Sequence, residues 1–113
     1  MDYQRSERVG DLLIEVIAEV LREEIRDPRV AAVTITAAKV SKDLRQARVY
    51  FTILGGLAGK DAVLAGLQSA TGFIRSRAGK QLKLRYVPTL EFFYDQSADE
   101  AQRIDDLLKQ VKQ

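Results

Sequence analysis

The side chains best suited to chemistry in this chain are cations. Arg75, Arg77, Lys80, Lys83 and Arg85 follow one another between Asp61 and Glu91 with no acidic residue intervening. Lys39, Lys42, Arg45 and Arg48 form a second group, opposed only by Asp43. Cations at this density neutralise phosphates and release their counterions, so the pattern points to a polyanion. Tyr50 lies two residues beyond Arg48, on the same side of an extended strand, where its ring can stack on a base or simply cover the sheet. No reading helix of Arg, Asn and Gln is evident, so irregular RNA suits the combination better than sequence-specific duplex DNA. The plain alternative is a solvated lysine-rich face.

Other chemistry is poorly supplied. The chain has no histidine and no cysteine, which excludes disulfides, thiolate nucleophiles and imidazole-based zinc sites. A general base would have to be Asp, Glu or Lys. The candidate pairs, Glu91 with Asp95 and Asp99 with Glu100, fall at strand ends and helix caps, where structural roles suffice. Ser41, Ser69, Ser76 and Ser97 have no recognisable activating partner. The glycine-rich stretch 55–61 resembles a phosphate loop, but only three residues separate Gly55 from Gly59, and Asp61 stands where a hydroxyl is required. It reads as a linker. No catalytic residue, metal site or cofactor is expected.

The net charge of +2 conceals a strong asymmetry. Residues 1–28 carry −4, 29–54 carry +4, 55–87 carry +5 and 88–113 carry −3. If the ends pack away from the middle, one face suits a polyanion. The 113 residues fit one domain spanning 1–113, large enough to fold without staples. The first five residues lack a basic segment leading into an apolar run, and no stretch approaches a membrane span. A soluble, untargeted, cytoplasmic protein is expected.

The elements that must position the cations are legible in the periodicity. Val9, Leu12, Leu13, Val16, Ile17, Val20, Leu21 and Ile25 predict an amphipathic helix over 6–26, with Ser6 as N-cap and Asp27-Pro28 as its end. Asp11, Glu15, Glu19 and Glu23 ladder along its outer face, a repulsion that Arg22 and Arg26 partly relieve. The β-branched run 33–41 and the alternation over 46–54 predict an antiparallel hairpin. A helical stripe starting at Val63 is interrupted by Gly66 and Gly72, predicting two helices that meet at Ala70, Thr71 and Gly72. On the second helix Arg77, Lys80 and Lys83 lie opposite Ile74, Ala78 and Leu82, Arg75 lies at the edge, and Arg85 carries the charge into the next loop. Residues 89–94 predict a third strand, with Leu90, Phe92 and Tyr94 on one face and Glu91 and Phe93 on the other. Ser97 to Glu100 has the form of a capping box before a last helix with Ile104, Leu107, Leu108 and Val111 inward. The expected class is α+β, in the order α-β-β-α-α-β plus a C-terminal helix, with helices on one face of a three-stranded sheet.

This order, with its basic second half, looks like a type II K-homology fold. The wording is closer still to one family. The segment 69–75 (SATGFIR), the segment 84–92 (LRYVPTLEF), Tyr94-Asp95-Gln96-Ser97, and Ile104-Asp105-Asp106-Leu107-Leu108 resemble bacterial ribosome-binding factor A. So do Arg8-Val9-Gly10, Asp27-Pro28-Arg29, Val40-Ser41-Lys42-Asp43-Leu44 and Ala47-Arg48-Val49-Tyr50. The resemblance covers nearly the whole chain. It implies a non-enzymatic assembly factor that binds the immature small ribosomal subunit and its ribosomal RNA and assists late maturation, including 5′-end processing, with most importance in the cold. The family replaces the Gly-x-x-Gly loop of K-homology domains with an Ala-x-Gly kink, which maps onto Ala70, Thr71 and Gly72. A monomer with no membrane partner is expected. The competing readings are a protein-interaction module, binding a ribosomal protein or itself through the sheet or the acidic first helix, and, third, an enzyme.

Overall fold

The computed structural model describes residues 4–56, 59–97 and 107–108. Helix α1 runs Arg5–Glu23 and buries one stripe, including Val9, Leu13, Val16, Ile17 and Val20. Its N-cap is Gln4, with no side-chain cap bond, so Ser6 sits inside the first turn rather than capping it. The helix also stops three residues before the expected boundary. Glu24 and Ile25 both donate backbone N–H bonds to the Val20 carbonyl, and Asp27 is extended at φ −108° and ψ 114°, as a residue before proline must be. A short 3-10 turn, Pro28–Val30, leads into the sheet.

Strands β1 (Val33–Val40) and β2 (Gln46–Ile53) form the expected antiparallel hairpin. Its turn is closed by side chains. The Ser41 hydroxyl donates to Asp43 Oδ1 at 2.6 Å and accepts from the Gln46 N–H at 3.1 Å. Leu44 adopts a left-handed φ of 62°, a conformation that usually selects glycine, while its side chain packs against the core. The register shifts between Ile35 and Ala37, leaving Thr36 as the extra residue of a bulge. Strand β3 (Thr89–Tyr94) lies parallel to β2, giving the order β1-β2-β3. A parallel neighbour requires a crossover, which helix α2 (Lys60–Leu82) supplies.

The expected pair of helices over this crossover is a single helix. Its buried residues Val63, Gly66, Leu67, Ala70, Ile74 and Ala78 fall within about 120° of one another at 100° per residue, one unbroken stripe. Each buried Val, Leu or Ile contributes about 1.5–3 kcal/mol. The glycines cost about 1 kcal/mol apiece relative to alanine, so burial prevails over propensity. Gly66 also belongs to the packing, because a Cβ there would lie 2.9 Å from Val30 Cγ1.

The inward residues of the sheet, among them Ile35, Ala47, Val49, Phe51, Leu90 and Tyr94, join the stripes of α1 and α2 in one apolar core. Both described helices therefore cover one face of a three-stranded sheet, the expected α+β class. At the end of β3, Asp95 rather than Ser97 serves as the cap. Its carboxylate accepts from the Ser97 N–H at 2.9 Å, and residues 96 and 97 are helical. Leu107 and Leu108 are helical and exposed, whereas both were expected to face inward. Ile104, Val111 and the rest of the expected last helix lie outside the described residues.

Candidate nucleic-acid interface

Backbone register brings the two cation groups to one end of the sheet. Gln46 of β2 pairs with Thr89 of β3, and the Thr89 N–H donates to the Arg45 carbonyl at 2.8 Å. The segment 83–88 therefore enters β3 beside the 41–45 turn. This places Lys83 and Arg85 at the same end as Lys39, Lys42, Arg45 and Arg48, roughly forty residues away in sequence.

The turn carboxylate at this end is already engaged. Ser41 and then the Arg45 N–H hold the Asp43 carboxyl below the usual carboxylate range, so it stays ionised, with Oδ1 occupied by both donors. Lys39 and Arg48 are directly opposed across β1 and β2, both exposed, and Glu91 of β3 is the register partner of Arg48. Like charges directly opposed on a sheet cost a few tenths to 1 kcal/mol. An arriving phosphate would remove that cost.

The helical cations divide into distinct environments. Arg75 is structural: its Nε donates to the Pro88 carbonyl at 3.0 Å and its Nη2 to the Val87 carbonyl at 2.9 Å. Gly79 lets the same segment close in, since a Cβ there would meet Val87 Cγ2 at 2.7 Å. Arg77 sits on the other flank of α2, paired with Glu24 after α1 and lying 5.7 Å from the Phe73 ring centroid. The expected three-cation stripe thus leaves Lys80, exposed on the helix, and Lys83 at its end. Lys83 is the left-handed C-cap, φ 54° and ψ 42°, with its N–H bonded to the Gly79 carbonyl. Arg85 lies 5.6 Å from the ring centroid of Tyr86, which is 71 % exposed. Arg29, another cation of the basic middle, is neutralised by a bidentate pair with Asp27.

Ala70, Thr71 and Gly72 all lie within α2. Ala70 is buried, Gly72 has no left-handed φ, and the Thr71 hydroxyl donates to the Leu67 carbonyl at 2.9 Å. Such back-bonding often bends a helix without ending it.

Sequence reasoning passed over Phe93 as a partner for Tyr50. The two occupy neighbouring positions on β3 and β2, with ring centroids 5.8 Å apart and planes at 33°, on the sheet face opposite the helices. The signal was present in the alternation that put Phe93 beside Glu91. Tyr86 was likewise missed as an exposed ring among cations.

A small α+β fold with a cationic sheet end is the class these observations define. Comparison with known proteins then gives the family. The family model described as ribosome-binding factor A matches residues 5–108, and the chain belongs to that family. The ribosome-binding factor A of Geotalea uraniireducens is 47 % identical over 109 residues, 96 % of this chain and 89 % of that protein. That of Syntrophus aciditrophicus is 48 % identical over 109 residues, again 96 % and 89 %. The crystal structure of ribosome-binding factor A from Thermus thermophilus shares the fold, with a TM-score of 0.69 at 24 % identity over 79 % of this chain and 94 % of that one. A second Thermus thermophilus structure, a homology model fitted into a cryo-EM map of a 30S complex, has a TM-score of 0.66 at 24 % identity, covering 82 % and 97 %. Among the described residues, no helix is long and apolar enough to cross a membrane.

Proposed function

We propose that this protein is a small-subunit assembly factor. It binds the immature small ribosomal subunit and its ribosomal RNA as one RNA-binding domain, in the cytoplasm and as a monomer, and assists late maturation and 5′-end processing of that RNA. The observation that carries the reading is the convergence of Lys39, Lys42, Arg45, Arg48, Lys83 and Arg85 on one end of the sheet, where Asp43 is already engaged. Family membership supports it, as does the 30S complex into which the Thermus thermophilus relative was fitted. Lys80 extends the surface along α2, Arg77 reaches it by exchanging Glu24 for phosphate, and Arg75 holds the 83–88 segment in place for it. Ala70, Thr71 and Gly72 act as a flexure within one helix. The protein performs no catalysis: it contributes binding energy and shape, and other proteins cut the RNA.

The test is sedimentation of the protein with purified small subunits over a range of salt. Changing Lys42, Arg45 and Lys80 together to Ala should weaken binding and reduce its salt slope by about one for each lost phosphate contact, with an unchanged melting temperature. Unchanged affinity would sink the reading. Incubating precursor RNA with pure protein and magnesium should yield no cleavage.

A second reading rests on the exposed acidic ladder Asp11, Glu15, Glu19 and Glu23 on α1, which suits a basic ribosomal protein or a second copy of the chain. Loss of binding on reversing those charges, with the cation variants unaffected, would favour it.

A further inference from the structure

The open face of the sheet is laid out in rows across its strands. Lys39, Arg48 and Glu91 form a charged row, and Ala37, Tyr50 and Phe93 form the next. Beyond them, the Thr36 hydroxyl of the bulge donates to Asp95 Oδ2 at 2.7 Å, joining the two edge strands across β2. Helices α1 and α2 pack on the other face, so neither of them lies over the aromatic row. Phe93 is 39 % exposed and Tyr50 is half-buried.

We infer that this outward face binds an unpaired RNA base by stacking on Tyr50 and Phe93, with the adjoining phosphates held by Arg48 and Lys39. The inference rests on the assembly-factor reading and names a contact within it. Three features carry it. Tyr50 and Phe93 are tilted by 33° and both keep part of their surface outward, whereas a packing pair such as Phe51 and Tyr94 stands edge to face at 88° and is buried. The hollow over this face measures about 590 Å³ and is lined by Lys39, Gln46, Arg48, Tyr50, Glu91 and Phe93 among others. That volume falls within the range that holds small ligands. Its polar rim supplies cations for phosphate, and amide and carboxylate groups for base edges.

Charge decides the occupant. Among the described residues, Glu91 is the carboxylate in register with Lys39 and Arg48, Asp95 beyond the aromatic row is bonded to Thr36, and Lys42 and Arg45 adjoin the face in the turn. A purely apolar partner would bury these cations uncompensated, while a nucleic acid pairs with them. A duplex hides its base faces in the stack, so part-exposed rings on a sheet face select a single strand.

The experiment uses the whole protein and a labelled, unstructured eight-nucleotide RNA read by fluorescence anisotropy. Changing Tyr50 and Phe93 together to Leu keeps the face apolar and removes both rings. Affinity for the oligonucleotide should fall about 10- to 100-fold, the loss expected when base stacking is removed. In the wild-type protein, titration with the same RNA should shift the ring resonances of Tyr50 and Phe93, a readout that does not depend on the variant folding. A matching duplex RNA should leave those resonances in place. Equal affinity of the double variant, ring resonances that do not move, or preference for the duplex would each overturn the inference. The assembly-factor reading is judged separately, on wild-type binding to purified small subunits, and stands or falls whatever the oligonucleotide does.

Discussion

Strands β2 and β3 carry two aromatic pairs one residue apart in register. Phe51 and Tyr94 point toward the helices; Tyr50 and Phe93 point away from them. Both pairs have ring centroids 5.8 Å apart. Phe51 is wholly buried and meets Tyr94 edge to face, the arrangement that satisfies ring quadrupoles in a packed core. The outer pair is tilted and part-exposed beside Arg48 and Lys39. Alternation along one pair of strands thus separates two roles: the inner rings hold the fold together, and the outer rings present a surface.

That division is open to direct attack. Phe51→Ala should cost about 3–5 kcal/mol in urea unfolding, because it empties a fully buried ring site. Tyr50→Leu or Phe93→Leu should cost about 1 kcal/mol or less, the scale of one exposed aromatic contact. Equal losses on the two faces would break the comparison.

Next in size is Gly10→Ala, where a new Cβ would lie 2.6 Å from the Ala38 carbonyl oxygen. Only a movement of α1 away from β1 relieves that contact, so a loss of about 1–3 kcal/mol is expected on the core side. Gly72→Ala is the contrasting case. Its Cβ would meet nothing within 4 Å and its backbone is already helical, so thermal melting should show stabilisation of up to about 1 kcal/mol. Destabilisation instead would mean that the backbone at Ala70, Thr71 and Gly72 departs from a regular helix.

Lys83→Gly sharpens the binding side. The left-handed cap position favours glycine, so the melting temperature should hold or rise while affinity for small subunits falls. A drop in both would show that Lys83 supports the fold as well as carrying charge.

The smallest expected effect lies in acid. The Ser97 and Thr36 hydroxyls, with the Ser97 N–H, hold the Asp95 carboxyl below its ordinary value. Its stabilising contribution is therefore complete above the unfolded value near 3.8 and is lost as pH falls through the lower folded value. Asp95→Asn should melt lower than wild type at pH 7, and the gap should close as the pH is taken below 3.8.

Local patterns carried most of the elements. The α1 stripe, the hairpin and the β3 boundaries at Thr89 and Tyr94 follow from side-chain period alone, because each element buries one face against the same core. The crossover helix was misjudged for a physical reason. Propensity counts Gly66 and Gly72 as breaks, but Gly66 is where the chain passes close to Val30, and burial of Val63, Leu67 and Ile74 outweighs the cost at exposed Gly72. The cations were legible as residues but not as a surface. Nothing local distinguishes Arg75, committed to two carbonyls, from Lys80, which is exposed.

By itself the sequence determined the charge asymmetry, the absence of thiol and imidazole chemistry, the amphipathic faces and the family wording, since all of these reside in residue type and spacing. Tertiary structure alone decided that β3 lies parallel to β2, that the 41–45 turn and the 83–88 segment share one end of the sheet, and that Tyr50 meets Phe93. Those facts depend on strand register across some forty residues. Register is set by the packing of the whole core, which no local window contains.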